Sequence, residues 1–143
     1  MPEPEKESRV LFLCTGNACR SQMAEGWLRH LAGERFEAAS AGTHPAGLNP
    51  GAVAAMRERG VDISTHRSKS VAELAGEEFD YVITVCDRAK ESCPVFPRAA
   101  RTLHWSFDDP AAVEGSPEER RAAFRRVRDE IAARIAGFIA RTP

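Results

Sequence analysis

The chain has no apolar run approaching the length of a bilayer span, so no helix of it is expected to cross a membrane. It also lacks an excess of charge of either sign. Its 20 Lys and Arg stand against 21 Asp and Glu, for a net charge of −1. No global field is therefore available to recruit nucleic acid or an anionic membrane, and neither partner is expected. Met1 to Arg9 is charged and proline-bearing, without the apolar core of a secretory signal, which points to a cytoplasmic protein. Histidine is scarce and scattered, at His30, His44, His66 and His104. The cysteine pairs Cys14/Cys19 and Cys86/Cys93 lack the gap of a zinc knuckle, so no metal site is expected. There is no internal repeat, low-complexity tract or linker. A flexible segment over 1–8 followed by a single domain over 9–143 is the organisation expected. Hydrophobic residues make up 43% and charged residues 29%, enough for one real core.

What is present is concentrated around Cys14. The apolar run Val10-Leu11-Phe12-Leu13 reads as a buried strand ending at this cysteine. Thr15-Gly16-Asn17-Ala18-Cys19 then supplies short side chains that let backbone N–H groups converge on one point, and Arg20-Ser21 opens a helix. A nest of amides at a helix N-terminus binds a tetrahedral oxyanion, and the planar fork of Arg20 suits two of its oxygens. The same field favours thiolate over thiol at Cys14 and makes it a nucleophile. Ser21 is placed to donate its hydroxyl to the Cys14 sulfur. Asn17 suits a left-handed position in the loop, and Cys19 reads as a bystander packed beneath it.

The remaining elements alternate between strand and helix. A helix over about Ser21–Ala32, ended by Gly33, is followed by a strand over Phe36–Ala41 closed by Gly42. Asn49 caps a helix with Pro50 at its first position, and Gly60 ends it. A short helix near Ser70–Leu74, strands over Phe79–Val85 and Arg101–Trp105, and a long helix opened by the capping box Ser116-Pro117-Glu118-Glu119 complete the chain. Phe124, Val127, Ile131, Ile135 and Phe138 form the apolar stripe of that last helix. Arg120, Arg121, Arg125, Arg126 and Arg128 read as its solvated face, with acidic partners at Glu118, Glu119, Asp129 and Glu130. The alternation implies an α/β fold: a four-stranded parallel sheet in a three-layer arrangement, flanked by helices, with ligands beyond the strand carboxyl ends. Cys14 and Cys86 both stand at such ends and can meet.

Cys86 and Cys93 flank the charged segment Asp87-Arg88-Ala89-Lys90-Glu91-Ser92. In one helix they would sit about 10 Å apart along the axis, whereas a disulfide needs α-carbons roughly 4.4–6.8 Å apart. Helix and disulfide exclude each other there, which is how a redox switch would be built. Phe107-Asp108-Asp109-Pro110 supplies a proton donor for an oxygen leaving the oxyanion, with Asp109 preferred over Asp108.

Residues 14–27, Cys14 to Trp27, resemble the opening of thioredoxin-coupled arsenate reductases, which share the low-molecular-weight tyrosine phosphatase fold. The resemblance continues through Ser40-Ala41-Gly42, Leu48-Asn49-Pro50, Asp62-Ile63-Ser64, Thr84-Val85-Cys86, Cys93-Pro94, His104-Trp105, Phe107-Asp108-Asp109-Pro110 and Arg126-Val127-Arg128-Asp129-Glu130-Ile131. It implies that Thr15, Gly16, Asn17, Ala18, Cys19 and Arg20 bind arsenate or a phosphate-like oxyanion, with Ser21 and Asp109 assisting. It further implies a relay in which Cys14 attacks arsenate, Cys86 displaces arsenite, and Cys93 moves the disulfide to Cys86–Cys93 for thioredoxin to reduce. No tightly bound cofactor and a monomeric state are expected with it. Some relatives bind potassium through residues matching Asn17, Glu25, Ser40 and an aspartate. Here Lys69 holds the aspartate's position, which predicts no potassium activation. The competing readings are a low-molecular-weight phosphatase, which would need neither Cys86 nor Cys93, and a non-enzymatic oxyanion-binding or redox-sensing module.

Overall fold

Four parallel strands lie side by side in the computed structural model, which describes residues 8–87, 96 and 99–142. Their order is β2-β1-β3-β4, with β1 at Ser8–Cys14, β2 at Phe36–Gly42, β3 at Phe79–Thr84 and β4 at Ala99–His104. The sheet starts at Ser8, whose amide donates to the Arg35 carbonyl, one residue inside the segment expected to be flexible. β1 is the first strand in sequence yet sits between β2 and β3, so the sheet grows outward from it in both directions. That is the topological switch point, and the crevice beyond its carboxyl end is where such sheets hold ligands.

The apolar run of β1 is continuous because both of its faces are covered. Val10 and Phe12 face a large cluster with Met23, Leu28, Met56, Val127, Ile131 and Ile135. Leu11 and Leu13 face the other way, toward Ala41, Phe79, Val82 and Phe96. Helices α1 (Arg20–Ala32), α2 (Pro50–Arg57) and α3 (Pro117–Arg141) all contribute to the first cluster. Among the described residues, the second face is covered by Phe96 and by Val71 and Leu74 of a 3-10 turn at Val71–Leu74.

The caps at Asn49 and Ser116 form as the sequence predicts, and a capping box not expected from the sequence forms at Ser70. Asn49 accepts from the Gly51 amide, Ser116 and Glu119 form a reciprocal capping box, and Ser70 with Glu73 forms a second. α2 stops at Arg57 rather than Gly60. The chain then turns through Glu58 and Arg59 to Gly60, which takes φ +75°, a value that suits glycine. One arginine of α3 departs from the solvated-face reading. Arg128 is buried, donates to the Ala55 carbonyl, and pairs with Glu58 and Asp129. Arg125 likewise reaches Glu58 of the α2 turn instead of Glu118. Sequence-local charge pairing finds Asp129 but misses Glu58, because that partner lies in the turn after α2.

Candidate active site

The loop from Cys14 to Arg20 is built from outside. Its Thr15, Gly16 and Ala18 carbonyls accept from the amides of His44, Ala46 and Asn49, at 2.9, 2.9 and 3.1 Å. With their negative ends fixed toward the 44–49 segment, these peptide groups turn their N–H ends to the opposite side, where an anion would sit. Asn17 has φ 47° and is fully buried, the left-handed position expected of it. Gly42 at the end of β2 is required by contact. A Cβ there would meet the Thr15 carbonyl oxygen at 2.5 Å and the Cys14 carbonyl oxygen at 2.8 Å.

Cys14 is 2% exposed, and its sulfur collects donors. The Asn17 amide donates to Sγ at 3.2 Å. Ser21 Oγ lies 2.8 Å from Sγ and itself accepts from Asn17 Nδ2 at 2.8 Å. That second bond uses one lone pair of the hydroxyl and leaves its proton available, so Ser21 is the donor whenever Cys14 is a thiolate, which can only accept. Two donors converging on one sulfur stabilise negative charge there. Cys19, five residues on, is different. Burial pushes its thiol up to about 12, with the nearby Asp109 and Cys14 charges adding to the effect. It is a free thiol packed at the N-cap of α1, in keeping with a bystander.

Arg20 and Asp109 close the site. Arg20 is buried, donates to the Phe107 carbonyl at 3.1 Å, and brings Nη2 to 3.9 Å from Asp109 Oδ2. Asp109 is half-buried, and its Oδ1 caps a short 3-10 turn at Pro110–Ala112 by accepting from the Ala111 amide at 3.0 Å. Oδ2 is the oxygen nearer Arg20. Asp108 instead pairs with Arg126 at 3.1 Å, so of the two aspartates Asp109 is the one that faces Arg20 and the loop. A cavity of about 360 Å³ lies over the loop, lined by Cys14, Arg20, Asp109, Leu48, Pro50 and Ala111 among others. Among the described residues, none that lines it is aromatic.

A second layer holds the first. Gln22 Nε2 donates to Asn17 Oδ1 at 3.0 Å and to the Asn17 and Arg67 carbonyls at 3.1 and 3.2 Å. Arg29 can only donate, so His66 Nε2, 3.0 Å from Arg29 Nη1, is the acceptor. His66 Nδ1 therefore carries the proton and gives it to Gln22 Oε1 at 3.0 Å. Burial, the largest influence on His66, favours this neutral form. Glu25 accepts from Ser40 at 2.6 Å, pairs with Arg29 at 2.8 Å, and faces Lys69 Nζ at 4.0 Å. The residues matching the family's potassium ligands thus gather, with a lysine ammonium among them. A fixed cation beside Glu25 fits poorly with a second one.

Cys86 follows β3 and is fully buried. Leu13 pairs with Thr84, and the Val85 amide donates to the Leu13 carbonyl, so Cys86 stands just past the position abreast of Cys14. Cys86 is disulfide-bonded, while Cys14 is free. Cys93, and with it the helix-or-disulfide reading of the segment after Asp87, lies outside the described residues. Sequence reasoning brought Cys14, Asn17, Arg20, Ser21 and Asp109 to one place. It missed Gln22, His66 and Ser68, whose hydroxyl holds the Gly16 carbonyl at 3.1 Å. Little local marks these residues: Gln22 joins nearby Asn17 but also Arg67, His66 reaches Gln22 and Arg29, and Ser68 reaches Gly16, each of these last four across the fold.

A family model described as low molecular weight phosphotyrosine protein phosphatase matches residues 9–142. An arsenate reductase of Halalkalibacterium halodurans is 49% identical over 129 residues, covering 90% of this chain and 93% of its own length. A solved arsenate reductase in its phosphate binding state superposes with a TM-score of 0.81 at 29% identity, over 97% of this chain and 100% of the other. A thioredoxin-dependent arsenate reductase of Corynebacterium glutamicum superposes with a TM-score of 0.71 at 31% identity, over 95% of this chain and 62% of the other.

Proposed function

The chain belongs to the low molecular weight phosphotyrosine protein phosphatase family, and we propose that it reduces arsenate to arsenite with thioredoxin as electron donor. The observation that carries the reading is Cys14 itself: a sulfur with two hydrogen-bond donors, at the floor of a small cavity flanked by Arg20 and Asp109. The small side chains that line the cavity among the described residues, Gly16, Ala18, Ala46, Gly47 and Ala111, suit a small inorganic oxyanion.

In the proposed reaction the Cys14 thiolate attacks arsenic(V) and forms a sulfur–arsenic bond. Asp109 protonates the departing oxygen, which leaves as water, while Arg20 and the loop amides carry the remaining negative charge. The Cys86 thiolate then attacks Cys14 Sγ. The sulfur–arsenic electron pair passes to arsenic, which departs as arsenite, and a Cys14–Cys86 disulfide remains. Cys93 attacks Cys86, Cys14 leaves as thiolate, and the dithiol of thioredoxin reduces the Cys86–Cys93 bond. Two electrons reach arsenic and one disulfide supplies them. The disulfide-bonded state of Cys86 beside a free Cys14 agrees with the end of this sequence. A reduced cytoplasm is the setting the relay needs. Cys14, Arg20 and Asp109 come from one chain, so a monomer suffices.

The test is arsenate-dependent NADPH oxidation coupled through thioredoxin and thioredoxin reductase. Steady turnover that Cys86→Ser and Cys93→Ser each abolish is the expected result. The second reading, a phosphatase, is favoured by the completeness of Cys14, Arg20 and Asp109 for phosphoester hydrolysis. Turnover of p-nitrophenyl phosphate alone, with no arsenate-dependent oxidation, would establish it instead.

A further inference from the structure

A second and larger cavity, about 420 Å³, runs between the edge strand β4 and the carboxyl-terminal half of α3. Its floor is aromatic. Trp105 meets Phe138 at 5.7 Å between ring centroids, and Tyr81 meets the same Phe138 edge-on at 5.1 Å. Its rim is cationic, with Arg101 from β4 and Arg134 and Arg141 from α3. None of these three guanidinium groups has an ion pair among the described residues. Earlier on the same helix Arg125, Arg126 and Arg128 are all held by carboxylates, at 2.7 to 2.8 Å. Arg134 lies over the Trp105 ring at 5.5 Å, so its charge is kept at the aromatic floor.

Gly137 is the second sign. It interrupts the interior of α3, where glycine costs about 1 kcal/mol against alanine, and a Cβ there would meet nothing within 4 Å. No packing contact demands the glycine. What it does is leave the groove open opposite Tyr81 and Trp105.

The geometry points to this groove as a second ligand site, for a small aromatic anion whose ring enters between Gly137 and the aromatic floor while its anionic group meets Arg101 and Arg134. Charge complementarity selects an anion over a neutral ligand. The groove's volume, within the ~300–1,000 Å³ usual for small-molecule sites, suits a small ligand. The carboxyl end of α3 carries partial negative charge, which directs the anion toward Arg101 and Arg134 rather than Arg141 at the helix end. The ring supplies much of the contact, so an aryl carboxylate is held here where bare inorganic phosphate is not, which separates the site from the Cys14 loop, shaped for a tetrahedral oxyanion.

The test uses 2-naphthoate and the full chain. Trp105 lies in the groove and Trp27 does not, so tryptophan emission reads occupancy. Saturable quenching at sub-millimolar naphthoate is expected, unchanged by inorganic phosphate at concentrations that fill the Cys14 loop. Arg101→Ala and Arg134→Ala should each weaken it about tenfold. Gly137→Leu, which fills the groove on a stronger helix former, should abolish it without loss of folding. Absence of saturation into the millimolar range would overturn the assignment. So would competition by phosphate, or indifference to Gly137→Leu. Binding of a glutamate-rich peptide where naphthoate fails would overturn it in favour of a macromolecular partner.

Discussion

The two ends of the 14–20 loop each carry a buried free cysteine, and they are built in opposite ways. At the β1 end, Cys14 Sγ receives the Asn17 amide and the Ser21 hydroxyl. At the α1 end, Cys19 sits at the helix N-cap, a favourable place for negative charge, yet burial holds its thiol protonated up to about 12. Proximity to a helix N-terminus is thus not enough to keep a buried thiol from being pushed up. The two sites differ in directed contacts: among the described residues, the Asn17 amide and the Ser21 hydroxyl reach Cys14 Sγ and not Cys19.

The contrast is broken most strongly by exchanging the sulfurs. Cys14→Ser should lower arsenate turnover at least about 10⁴-fold, as loss of a nucleophile does, whereas Cys19→Ser should stay within about threefold of the parent. Equal losses would mean that the loop needs both sulfurs. Asp109→Asn comes next. Removing a general acid should cost about 10²–10⁴ in the arsenate-driven rate, while Asp108→Asn should leave it unchanged, because Asp108 faces Arg126. Ser21→Ala removes one of the two donors, and carboxymethylation of Cys14 at neutral pH should slow about tenfold, in line with a lost charge-assisted hydrogen bond.

Cys19 gives a pH signature of the opposite kind. Its thiol ionises near 9.0 in the unfolded chain and near 12 in the fold, so folding favours the protonated form. That contribution is complete below pH 9 and is lost as pH rises toward 12. Denaturant melts should show stability falling over that window, and Cys19→Ala should flatten the slope. The smallest effect expected is that of potassium. With the Lys69 ammonium beside Glu25, replacing sodium by potassium should change turnover and melting temperature negligibly, and a specific rise in either would show that the lysine does not stand in for the cation.

Much of this was legible because the signals are local. An apolar run covered on both faces, an asparagine before a proline, and a serine three residues before a glutamate each specify their element within a few positions. The nucleophile loop was readable for the same reason. The supporting shell was not, since Gln22 finds His66 and Arg67 across the fold, and Arg128 finds Glu58 in the turn after α2. Gly42 carries no local mark of its role either, which is set by the approach of Thr15 and Cys14 from the adjacent strand.

Those results leave the relay, and it is tested most directly by trapping it. In Cys93→Ser the proposed sequence must stop after arsenite leaves, with Cys14 and Cys86 joined. Reduced Cys93→Ser given one equivalent of arsenate, then alkylated and mapped by mass spectrometry, should show a Cys14–Cys86 disulfide and one equivalent of arsenite. Repeated turnover by that variant with thioredoxin, or arsenite formed while Cys86 stays open to alkylation, would contradict the account.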